Sequence, residues 1–61
     1  MISHTVAEAA HRILAAQFGG EAAGFTREQA ERMRAADTVD WQQALRFAKA
    51  ALRGIVPDSA L

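Results

Sequence analysis

The chain has 61 residues, no Cys and a formal net charge of zero from seven basic and seven acidic side chains. That size allows one small domain and excludes disulfides and thiolate metal sites. The balanced charge argues against a protein that binds nucleic acid by bulk charge, and equally against an acidic DNA mimic. Half of the residues are hydrophobic, but fifteen of those 31 are Ala, which favours helix while burying little surface. Sixteen larger hydrophobics remain, enough for one modest core. A chain this short has a thin stability margin and commonly needs a partner subunit.

Thr5-Val6-Ala7-Glu8 has the form of a capping box and predicts a first helix over about 6–18. Val6, Ala10, Ile13, Leu14 and Phe18 recur at helical spacing and form its apolar face. Glu8 and Arg12 fall on the opposite side as an i,i+4 pair, and Gly19-Gly20 stops the helix. Residues 19–25 form the one real loop and hold three of the four Gly.

Thr26-Arg27-Glu28-Gln29 is a second capping box, opening a helix over about 27–36. Phe25 and Ala30 are placed to form a hydrophobic staple. Arg27 with Glu31 and Glu28 with Arg32 are i,i+4 pairs of opposite charge. Only Ala30, Met33 and Ala36 give this helix an inner face.

Asp37-Thr38 predicts a break or kink, with either residue as N-cap of a third helix over about 39–53; without a break the second and third helices become one long helix, with only Asp37 intruding on its apolar face. Gly54 ends that helix, Ile55 is placed to fold back on its last turn, and Pro57 prevents continuation. The expected architecture is all-α: a small three-helix bundle or helical hairpin, expected to oligomerise. Residues 1–56 form the domain and 57–61 a frayed tail.

The third helix carries three stripes. Trp41, Leu45, Ala48 and Leu52 are spaced 4, 3 and 4 and should meet Ile13, Leu14 and Phe18. Gln42, Arg46, Lys49 and Arg53 form a polar stripe with three positive charges and no acid. Val39, Gln43, Phe47 and Ala50 form a third, apolar in part and well around from the core seam. Phe47 either packs on the second helix of its own chain or belongs to a contact with another chain, and a helix apolar over a wide arc is usually buried on more than one side.

Chemistry is poorly represented. His4, Glu8 and His11 share a helical side, and Glu8-x-x-His11 matches an element of di-iron bundles. Facing helices offer no complete ligand set, so the expectation is no metal and no cofactor, with these residues at a solvent-facing helix start. Ser3 and Ser59 are the only serines, no carboxylate pair flanks a pocket, and so short a chain should hardly enclose a cleft of about 300 Å³; no enzyme activity and no small-molecule substrate are expected. The reading is therefore a small non-enzymatic protein–protein interaction module: an accessory subunit, a homo-oligomeric adaptor, or an inhibitor from a phage or other mobile element. Val39, Gln43, Phe47, Ala50, Arg46, Lys49 and Arg53 are its candidate partner-binding residues. The alternative is a small dimeric DNA-binding regulator using Arg46, Lys49 and Arg53. Against it, the link between the second and third helices looks too short and has no Gly, and Asp40 would repel phosphate. No run is long enough to span a membrane and no signal peptide is visible, so a cytoplasmic setting is expected. Arg over Lys and abundant Ala suggest a GC-rich bacterial or phage coding sequence.

Overall fold

The structure is a computed structural model, and it describes residues 2–55. The expected tail over 57–61, and Val56 at the end of the expected domain, lie outside the described residues. The fold is three helices packed on one another: α1 (His4–Gln17), α2 (Arg27–Ala35) and α3 (Val39–Leu52), with a single 3-10 turn at Glu21–Ala23. There is no β-strand among the described residues.

Each helix begins on a hydroxyl. Ser3, not Thr5, caps α1: its Oγ accepts from the Val6 amide at 3.2 Å, and the helix starts two residues earlier than predicted. The predicted box at α2 is complete, with Thr26 Oγ1 accepting from the Gln29 amide and Gln29 Oε1 accepting from the Thr26 amide. Thr38 caps α3 by accepting from the Trp41 amide.

The helix ends explain the break points. After α1, the Gly20 amide reaches Ala15 O at 2.8 Å and the Gly19 amide reaches Ala16 O at 3.3 Å, the paired bonds of a Schellman motif. Gly19 lies at φ +84°, and a Cβ there would come within 2.8 Å of the Ala23 Cβ, so both backbone and packing require glycine. The same motif ends α2, from the Thr38 amide to Met33 O and from the Asp37 amide to Arg34 O, both at 3.1 Å. Here Asp37 takes the left-handed position at φ 51°. Asp37 is thus a helix terminator and not an alternative N-cap. Its carbonyl also accepts from the Gln42 side chain at 2.8 Å. The chain leaves α3 through Arg53 and Gly54 with the Ile55 amide on Leu52 O. Ile55 is 77% exposed, so it does not fold back on the helix as expected.

Most of the interhelical contact is between α1 and α3, and α2 lies across the pair. The core is Val6, Ala10, Leu14, Phe25, Ala30, Trp41, Ala44 and Ala48. Half of it is alanine, which lets helix axes approach closely but buries little apolar area. Ala44 and Ala48 are fully buried, while Leu45 and Leu52 are only half-buried at the rim. The predicted seam is therefore rotated: the buried line on α3 is Trp41–Ala44–Ala48. Phe18, expected in the core, is 42% exposed and stacks on Phe25 with ring centroids 5.1 Å apart. Ala36, expected on the inner face of α2, is exposed, leaving Ala30 buried and Met33 half-buried.

Candidate functional site

The outward side of α3 follows from the rotated seam. With Ala44 and Ala48 buried, Val39 and Ala50 fall on the opposite side of the helix, and Phe47, about 60° round from Ala44, falls at the edge of the buried face. Val39 is 76% and Phe47 48% exposed, two turns apart on one helical face. Gln43 stands between them, Ala50 follows, and both are exposed. Beside them run Arg46 and Arg53, exposed, and Lys49, half-buried, so the apolar strip is bordered by positive charge. Of the seven candidate partner-binding residues on α3 and its C-cap, six are exposed and Lys49 is half-buried.

The His4, Glu8 and His11 set is not brought together. His4 is exposed, whereas His11 turns inward and is only 5% exposed, correcting its expected place on a solvent-facing side. Its ring meets Trp41 with centroids 5.1 Å apart and planes at 49°. Its Nδ1 is buried without a hydrogen-bond partner. Burial holds its pKa below the ordinary value, and the nearby Arg27 and Arg34 guanidinium groups act in the same direction. Arg34 lies over the Trp41 ring, 5.5 Å from its centroid. Spacing alone hides His11 because α1 is buried over a wider arc than its large apolar residues mark: Ala7, Ala10 and His11 are all buried with Val6 and Leu14.

Glu8 does not use Arg12. It pairs with Arg27 of α2, which donates through Nη1 and Nη2 to the two carboxylate oxygens. That hydrogen bond, chiefly, holds the Glu8 carboxyl below the usual carboxylate range. Arg27 also keeps its predicted Glu31 partner at 3.5 Å, and Arg32 its Glu28 partner at 2.8 Å. The cross-helix pair leaves no mark in local spacing.

Two open grooves flank α1. One, of about 320 Å³, is lined by Glu8, His11, Arg12, Phe25 and Arg27 among others. The second, of about 460 Å³, lies between α1 and the end of α3, with Ala9, Ile13 and Leu52 on its walls. Space of the size thought beyond so short a chain is therefore present, as surface grooves and not as an enclosed cleft.

The fold and this surface define a small all-α three-helix protein with one apolar strip on its last helix. Comparison with protein-family models, with curated proteins and with solved structures finds no match to this chain.

Proposed function

We propose that this chain is a small, non-enzymatic interaction protein that presents the outward face of α3 to another protein chain. The observation that carries the reading is the exposure of Val39 and Phe47 on one face of α3, outside a core of only eight residues. A large ring and a branched side chain two turns apart are the spacing an apposed helix or groove engages, and large apolar anchors supply most of the energy of such contacts. Small Ala residues nearby, Ala50 among them, leave room for close approach, and Arg46, Lys49 and Arg53 favour a partner with acidic groups at its rim. A second copy, a larger complex in which this chain is an accessory subunit, or the target of an inhibitor all fit this surface. Light scattering on wild type and Phe47→Glu tests it: oligomer or partner binding in wild type should be lost in the variant, since a buried carboxylate facing an apolar surface is costly. A wild-type monomer whose every measured interaction survives Phe47→Glu would remove the proposal.

One observation supports a second reading. The α2–α3 connection, Ala36 to Thr38, is three residues long with Asp37 left-handed at its centre, so neither its length nor its lack of Gly opposes a helix-turn-helix. In that reading two copies would use Arg46, Lys49 and Arg53 on phosphates. Asp40 in the first turn of α3 stands against it. Affinity for duplex DNA that falls steeply with salt would favour this reading over the first.

A further inference from the structure

His11 is the one buried ionisable side chain among the described residues, and three helices meet around it. From α1, Glu8 and Arg12 line the groove beside it. From the α1–α2 connection comes Glu21, on the same groove. From α2 come Arg27, Glu31 and Arg34, with the two arginines disfavouring positive charge on the ring and the glutamates opposing them. From α3 comes the uncharged indole of Trp41. A neutral imidazole can leave Nδ1 as a bare lone pair, but an imidazolium must donate from both nitrogens. The Nδ1 of His11 has no acceptor to receive that bond.

The element that can relieve this conflict is α2. It buries only Ala30 and half-buries Met33, so it is the least anchored of the three helices. It also carries both arginines. Withdrawing it would take the Arg27 and Arg34 charges away from the ring.

We propose that His11 is a proton-sensitive latch on α2: the neutral ring seated on Trp41 lets α2 close over the α1–α3 pair, and the imidazolium releases it. The inference is independent of the α3 contact surface. The direction follows by linkage. The folded form binds the proton less readily than the unfolded or opened form, so the closed state is fully favoured above the ordinary histidine value of about 6.5 and loses ground as pH falls below it. One proton changes the closed-to-open ratio by at most about tenfold per pH unit.

Proton NMR titration of the full chain reads His11 directly. Amide-exchange protection factors at pH 7.5 and pH 5 read which helix opens. The expected result is that His11 titrates below the ordinary histidine value of about 6.5, and that amides of residues 27–35 lose protection at pH 5 before those of α1 and α3. Thermal melts of wild type should fall between pH 7.5 and pH 5, and the fall should be flattened in His11→Gln. If that variant does not fold, the titration and exchange on wild type still decide. His11 titrating at or above the ordinary histidine value, all three helices losing protection together, or an undiminished pH dependence in His11→Gln would overturn the latch.

Discussion

The rings of His11 and Trp41 meet at 5.1 Å between centroids, joining the middle of α1 to the first turn of α3. Trp41 also carries Arg34 of α2 over its ring, so one indole is common to all three helices. It is 4% exposed in a core with few other large side chains. Trp41→Ala should cost about 3–5 kcal/mol. With so small a core, the expected outcome is a chain without a cooperative melt by circular dichroism. A normal melt for Trp41→Ala would show that the alanine seam alone holds the bundle.

The rotated seam sets a ranking among leucines. Leu14 is fully buried, so Leu14→Ala should cost about 2–5 kcal/mol. Leu45 and Leu52 sit half-buried at the rim, and either change to Ala should cost about 1 kcal/mol, in proportion to the area lost. Urea midpoints of the three variants check the order. Equal losses at Leu14 and Leu45 would place the seam where the 4-3-4 spacing put it.

Asp37 occupies a left-handed position that glycine adopts without strain. Asp37→Gly should raise stability by about 0.5–1 kcal/mol, a rise in Tm of roughly 2–8 °C for a domain of this size. Asp37→Val, β-branched at positive φ, should lower it by more than that. A destabilised glycine variant would mean that the Asp37 side chain contributes something its backbone position does not reveal.

Thr26 and Gln29 satisfy each other's amides at the start of α2. Thr26→Ala should cost about 1 kcal/mol and raise amide exchange first in α2, the helix with least burial to compensate. Exchange that rises equally in all helices would show that α2 does not open separately.

The Glu8–Arg27 pair links α1 to α2 across the surface. Because Glu8 is held below its ordinary value of about 4.5, its contribution is present above that pH and is lost as pH falls through the lowered value. Glu8→Gln should give a small loss of Tm at low salt that shrinks in 1 M NaCl, since exposed pairs are screened. A loss that persists at high salt would point to packing and not charge.

Local signals carried far. The Thr26–Gln29 box, the glycine stop after α1, the break before Thr38 and two of the ion pairs are all read from residues within four positions of each other, where the physics is local. Thr5-x-x-Glu8 is the fuller capping motif, yet Ser3 is the residue that caps α1. His11, Phe18 and Glu8 were misplaced for a different reason. Their positions depend on where other helices cross, and Phe18 ends on Phe25 of the loop and Glu8 on Arg27 of α2.

By itself the sequence determined an all-α chain, the helix start at Thr26 and the glycine stop after α1, and which residues of α3 share a face, because caps, terminators and the 3.6-residue turn are properties of contiguous residues. Only the tertiary structure decided which face α3 turns inward. Burial on α3 falls on the line Trp41–Ala44–Ala48 and not on the leucines beside it, Val39 and Phe47 stay exposed and His11 is buried, an outcome set by where the other helices cross and not by spacing along one helix.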